Sequence, residues 1–150
     1  MSFDTAAFRD WLARYGLAWE GRDPETAALL FAPDALYHWT PFEAPKRGRE
    51  EIAGAWRSAT SRQEGVRFAW EVICATGNRG FAHWRASFRR AGAGHTVRID
   101  GILSAAFGED GLCTEFHEWW HSDEPPAPRP SPESAAADVG HGRLDRETPC

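Results

Sequence analysis

A chain of 150 residues with eight tryptophans, nine phenylalanines and 26% charged residues is long enough and apolar enough to bury one real core, which excludes a disordered polymer. Its formal charge of -5 is spread along the sequence, and only Arg89-Arg90 and Lys46-Arg47-Gly48-Arg49 are densely basic, so neither nucleic acid nor an anionic membrane is expected as the main partner. The start, Met-Ser-Phe-Asp-Thr, has no basic-then-apolar leader pattern and no apolar run is long enough to span a membrane, so a cytoplasmic location is expected. Three cysteines, Cys74, Cys113 and Cys150, form no CxxC pair and suggest reduced thiols.

From Thr5 to Gly21, Phe8, Trp11, Leu12, Tyr15 and Trp19 recur at three and four, which predicts a helix capped by Asp4 and ended by Gly21. Asp23-Pro24-Glu25 opens a second helix whose apolar side is Leu29, Leu30 and Phe31. After the break at Ala32-Pro33-Asp34 come a short strand, Ala35 to Trp39, a loop through Pro45, and a third helix from about Arg49 through Ile52 and Trp56 to Ala59. Beyond Gly65 the period becomes two. Val66, Phe68, Trp70, Val72 and Cys74 share one face of a long strand, and Ala82, Trp84, Ala86 and Phe88 share one face of the next. Val97 to Phe107 and Cys113 to His121 complete the strands, with Gly77-Asn78-Arg79-Gly80, Ala91-Gly92-Ala93-Gly94 and Glu109-Asp110-Gly111 as turns. After His121 the composition shifts to proline, alanine and serine, so residues 123–150 are expected to be a disordered tail on a domain of residues 1–122.

Helices followed by an antiparallel meander predict an α+β domain in which a curved sheet wraps three N-terminal helices. Four features resemble the SnoaL-like branch of the nuclear transport factor 2-like superfamily, relatives of polyketide cyclases and ketosteroid isomerase: the Trp/Tyr-bearing first helix, Leu-Leu-Phe-Ala-Pro-Asp-Ala before the first strand, Pro45-x-x-Gly48-Arg49-x-x-Ile52, and Asp-Gly-Leu before the last strand. The resemblance implies a cone-shaped fold with a pocket between the concave sheet face and the helices, and a homodimer through the convex sheet face. The scaffold hosts many chemistries, so it does not name one. Carried over by position, the oxyanion-hole tyrosine of ketosteroid isomerase falls at Tyr15, which is either a catalytic hydroxyl of that kind or a core tyrosine with a satisfied hydroxyl. The isomerase's aspartate base falls at Trp39 or Thr40 and its second oxyanion-hole acid near Leu103, which argues against that isomerase reaction.

Two acids remain. In the last strand Phe116, Glu118 and Trp120 share one face, and His117, Trp119 and His121 share the other. A carboxylate between two large apolar side chains is costly unless paired, protonated or used, so Glu118 is either a general acid or base of raised pKa or half of a buried ion pair with an arginine. Asp100, between strand residues of high β propensity, is either a second catalytic acid or the partner of Arg85, Arg89 or Arg98, set toward the dimer side or at a bulge at Gly101. His38, beside Trp39 at the expected pocket mouth, is a candidate proton carrier or a rim residue. Trp19, Trp39, Trp56, Trp70, Trp84, Phe116 and Trp120 are candidates for the walls of a substrate pocket, with plain core as the alternative.

No metal site is expected. His117 and His121 lie about 13 Å apart along a strand, and His38 and His83 could approach across strands but have no acidic or thiol companions at ligand spacing. GxSxG, GxGxxG and P-loop patterns are absent, and no cofactor is called for. Two functions remain: acid/base catalysis of isomerase, cyclase, dehydratase or hydrolase type on a small hydrophobic molecule, or a non-enzymatic small-molecule-binding or homodimeric interaction module.

Overall fold

The computed structural model describes residues 3–126. The order of elements is α1 (Thr5–Glu20), α2 (Pro24–Ala28), β1 (Phe31–His38), β2 (Lys46–Arg47), α3 (Gly48–Thr60), β3 (Gln63–Thr76), β4 (Arg79–Arg90), β5 (Thr96–Phe107) and β6 (Cys113–Asp123). The α+β expectation holds, as one unclosed six-stranded sheet with the helices gathered at the N-terminal side of the sequence. The order across the sheet is β2-β1-β6-β5-β4-β3. It is antiparallel throughout except that β1 and β6 run parallel, because α3 and the meander separate them in the chain.

Asp4 caps α1 through a 2.8 Å hydrogen bond from the Ala7 amide, and Phe8, Trp11, Leu12 and Tyr15 fall on its buried face. The helix ends before Gly21 as expected, but Gly21 keeps right-handed geometry, and Arg22 takes the left-handed turn at φ 49°. The Arg22 guanidinium donates to the Gln63 carbonyl at 3.0 Å, a tertiary contact that holds this less favourable conformation. The second helix is shorter than its apolar pattern suggests. It stops at Ala28, Leu29 is exposed, and Phe31 opens β1, because pairing with Cys113 on β6 claims the backbone there. At the start of α3, Gly48 has φ 79°, and an added Cβ would come 3.0 Å from the Pro33 carbonyl.

The expected alternation of β4 holds throughout, with Ala82, Trp84, Ala86 and Phe88 buried. On β3 it holds only to Val72. A register shift between Val72 and Cys74 turns Cys74 outward, although its spacing puts it with the buried set. At the far end β6 continues two residues past His121 to Asp123, and Glu124 is tied by both carboxylate oxygens to Arg90 and by one to His95, so the chain is still held at residues 123 and 124 where the tail was expected to begin. Residues 127–150 of that expected tail lie outside the described residues.

The core is largely aromatic. Phe116 is fully buried and stacks on Tyr37 at 4.8 Å and on Tyr15 at 5.6 Å, which binds α1, β1 and β6 together. Trp11 continues the stack from Tyr15 at 5.2 Å and donates its indole N–H to the Leu30 carbonyl at 3.0 Å. Among the described residues no helix is long and apolar enough to cross a membrane.

Candidate functional site

Between the helices and the concave face of the sheet lies a cavity of about 300 Å³. Its walls include Tyr15 and Trp19 of α1, Tyr37 of β1, Trp56 of α3, Trp84 of β4, and Glu118 and Trp120 of β6, with Trp39 just beyond β1. Each is brought there by period. Tyr15 and Trp19 are one helical turn apart, and Glu118 and Trp120 are two residues apart on a strand. The expected face of β6 is therefore the observed one: Phe116 and Glu118 are buried, while His117 and Trp119 point the other way, where Trp119 is exposed.

Glu118 is 7% exposed, and no arginine pairs with it among the described residues. Its partner is a tyrosine. The Tyr37 hydroxyl donates to Glu118 Oε1 at 3.0 Å, and Tyr15 Oη lies 3.3 Å from Tyr37 Oη. Because Tyr37 has a single hydroxyl proton and commits it to Glu118, the proton between the two tyrosines belongs to Tyr15, giving a chain Tyr15 to Tyr37 to Glu118. Burial raises the Glu118 carboxyl to about 8, and the Tyr37 hydrogen bond opposes that rise. Burial and then the Glu118 charge push both tyrosines well above their ordinary value, so they stay protonated donors.

Two further indole N–H groups lie beneath the cavity surface. Trp56 Nε1 and Trp84 Nε1 are buried with no acceptor among the described residues, whereas Trp19 Nε1 donates to Gln63 Oε1 at 2.8 Å. Buried N–H groups without a partner are uncommon in folded proteins. At the outer end of the cavity stand Arg62, Ser122 and the Arg90–Glu124 ion pair, in which hydrogen bonds from Arg90 and His95 hold the Glu124 carboxyl down to about 2.

Three of the residues singled out from sequence lie elsewhere. Asp100 is on the outer face of the sheet, opposite His121 with no bulge at Gly101, and it accepts from His83 at 2.8 Å instead of pairing with Arg85, Arg89 or Arg98. His83 is held on its other nitrogen by Glu71 at 2.8 Å, and these two contacts raise its pKa. His38 is also outside the cavity, because buried Tyr37 takes the concave position and the next residue faces outward; its ring stacks on His117. His38 and His83 do not approach each other, since β6 and β5 separate their strands.

Of the wall candidates, Trp19, Trp39, Trp56, Trp84 and Trp120 line the cavity. Trp70 packs at the margin of the core on edge strand β3, and Phe116 is consumed by the stack between the tyrosines; neither lines the cavity. Tyr37 is the residue that sequence reasoning overlooked. Its parity in β1, one residue before His38, was a usable signal, but its meaning depends on the pairing of β1 with β6.

The profile of the SnoaL-like domain matches residues 8–116. This chain belongs to the SnoaL-like family. No curated protein matches it by sequence. Among solved structures, the SnoaL-like chain is similar to a hypothetical protein with a ketosteroid isomerase-like fold from Catenulispora acidiphila, determined in complex with trimethylamine, with a TM-score of 0.66 and 19% identity over 73% of this chain and 84% of that one. It is also similar to SalBIII, an epoxide hydrolase/cyclase-like enzyme of pyran ring formation in the polyether salinomycin, with a TM-score of 0.69 and 13% identity over 79% of this chain and 93% of that one. At these identities the likeness establishes the SnoaL-like fold and leaves the chemistry to the site itself.

Proposed function

We propose that this SnoaL-like protein catalyses a proton transfer on a small hydrophobic molecule held in the cavity, with Glu118 as the group that gives and takes the proton. The observation that carries this reading is a buried carboxyl in the cavity wall whose one hydrogen bond among the described residues comes from Tyr37. A carboxyl raised to about 8 is mostly protonated at neutral pH, so it meets the ligand as an acid and completes the cycle as a base. Delivery of that proton to an epoxide, carbonyl or departing hydroxyl oxygen leaves a carboxylate stabilised by Tyr37. The carboxylate then recovers a proton from an attacking hydroxyl, from water, or from a carbon beside a carbonyl. Tyr37 is a positioning residue, and Tyr15 supports it from behind. Isomerase, cyclase, dehydratase and hydrolase reactions of this type all fit the same two steps.

The test is turnover of a panel of small epoxides, enones, lactones and hydroxyketones by the native protein and by Glu118→Gln. Loss of turnover by about 10²-fold to 10⁴-fold with binding retained supports the proposal; equal turnover refutes it.

A binding module without turnover is the second reading, and the aromatic part of the cavity wall, Trp19, Trp39, Trp56, Trp84 and Trp120, favours it, since such rings can hold an apolar ligand with no proton transfer at all. Binding by both forms with no conversion by either would select it. A homodimer belongs to both readings: Ile102 and Trp119 are adjacent and exposed on the convex face, which suits a second copy of the chain.

A further inference from the structure

On the outer face of the sheet, away from the cavity, three side chains with metal-ligand chemistry converge. His38 closes β1, and His117 lies beside it in register on the parallel strand β6. Parallel neighbours about 4.8 Å apart bring side chains of one face together, and the two imidazoles stack with centroids 3.9 Å apart and planes 6° apart. Glu115, two residues before His117 on the same strand, places Oε1 2.6 Å from His117 Nε2. One ligand atom from each of the three lies within 4.8 Å of the other two. This corrects the expectation that His38 has no acidic companion, which took His83 and not His117 as its neighbour across strands.

We propose that His38, Glu115 and His117 bind a divalent cation of the zinc type, with the remaining coordination position open to solvent. Two imidazole nitrogens and one carboxylate oxygen suit zinc and its transition-metal neighbours, whereas magnesium and calcium favour sets made of oxygen. The ion takes the place of the proton that Glu115 and His117 share. Zinc bonds of about 2.0 to 2.2 Å hold two ligand atoms farther apart than a hydrogen bond does, so the 2.6 Å contact opens slightly as metal replaces proton. The two rings tilt out of parallel about their terminal side-chain torsions, a soft motion, so that both lone pairs meet the ion.

Arg79 fits this arrangement as a second layer. It reaches across β5, donates to Ser104 Oγ at 2.9 Å and stands 3.6 Å from Glu115 Oε2, which holds the far oxygen of the carboxylate and leaves Oε1 for the metal. His83, on the same outer face, is a different case, because both of its ring nitrogens are taken by carboxylates.

The experiment uses the full chain, stripped of metal with a chelator and titrated with Zn²⁺ by calorimetry and with Co²⁺ by visible absorption. The result expected is one ion per chain, with affinity lowered at least about tenfold by His38→Ala, by His117→Ala and by Glu115→Gln, and unchanged by His121→Ala on the same face. Circular dichroism in the presence of chelator shows that each variant is folded, and the two histidine variants stand in for each other if one is not. No uptake by the native protein at sub-millimolar metal, or uptake that persists undiminished in folded His38→Ala and His117→Ala, would overturn the proposal.

Discussion

The Tyr37 hydroxyl donates to Glu118 Oε1 at 3.0 Å across the parallel pair of β1 and β6, in a cavity wall that also holds Tyr15, Trp19, Trp56 and Trp84. Burial favours the neutral carboxyl and the Tyr37 hydrogen bond favours the charged one, and burial is the larger effect.

Glu118 makes stability depend on pH. In the unfolded chain the carboxyl titrates near 4.5, and in the folded protein it keeps its proton up to about 8. Its contribution is therefore present in full below 4.5 and is lost as pH rises through about 8, since between those values the unfolded state gives up a proton that the native state retains. At roughly 1.4 kcal/mol per pH decade the loss has a ceiling of about 5 kcal/mol. Glu118→Gln, neutral at every pH, is expected to flatten the curve and to be the more stable form at pH ~9. Urea unfolding from pH ~5 to ~9 checks it, and parallel curves for the two proteins would show that the carboxyl titrates normally.

Tyr37→Phe removes the one donor among the described residues that favours the charged form of Glu118. The carboxyl should then titrate higher than in the native protein, and the pH at which stability is lost should move up with it. Stability should fall by about 1 to 3 kcal/mol, because Glu118 and the Tyr15 hydroxyl both lose a buried partner. A midpoint that moves down instead would mean that Tyr37 does not donate to the carboxylate.

Gly101 lies between Trp84 on β4 and Trp120 on β6. A Cβ there would sit 2.6 Å from the Trp119 carbonyl and 2.9 Å from both Trp84 Cε2 and Trp120 Cβ. The backbone oxygen has little freedom to retreat, so Gly101→Ala is expected to cost about 1 to 3 kcal/mol and to disturb the cavity wall. Tryptophan fluorescence and a thermal melt read both effects; an unchanged melt would show that the sheet yields there.

His83 is held between Glu71 and Asp100, so its protonated form is favoured in the native state. The contribution is present in full below the ordinary histidine value of 6.5 and is lost as pH rises through the raised folded value. For a site near the surface the effect of His83→Gln should stay below about 1 kcal/mol, and it should be larger in acid than in base. Titration of the His83 ring by NMR is the direct measurement, and a midpoint below 6.5 would contradict the double contact.

Local pattern carried far in some elements and failed in others for identifiable reasons. The face of β6 was legible, because parity alone puts Phe116 with Glu118 and His117 with Trp119, and so was the buried face of β4. The end of α2 was not, since the Leu29-Leu30-Phe31 run serves a helix and a strand equally well and the pairing of Phe31 with Cys113 decides it. Cys74 was misplaced by a register shift that no alternation pattern announces. Asp100 and His38 stood out in the sequence, but their partners on the outer face, His83 for Asp100 and His117 for His38, depended on which neighbours β5 and β1 acquire.

What the sequence determined by itself is the class of fold, the family resemblance and the burial of Glu118, because these follow from periodicities of two and 3.6 residues and from motifs that act over a few positions. What only the tertiary structure decided is the company each polar group keeps. Tyr37 and Glu118 are 81 positions apart in the chain, and His38 meets Glu115 and His117 on the opposite face of the same two strands. Both meetings arise from the parallel pairing of β1 with β6. That pairing joins the first long strand to the last, and it is set by the packing of the whole sheet against the helices, which no short stretch of sequence contains.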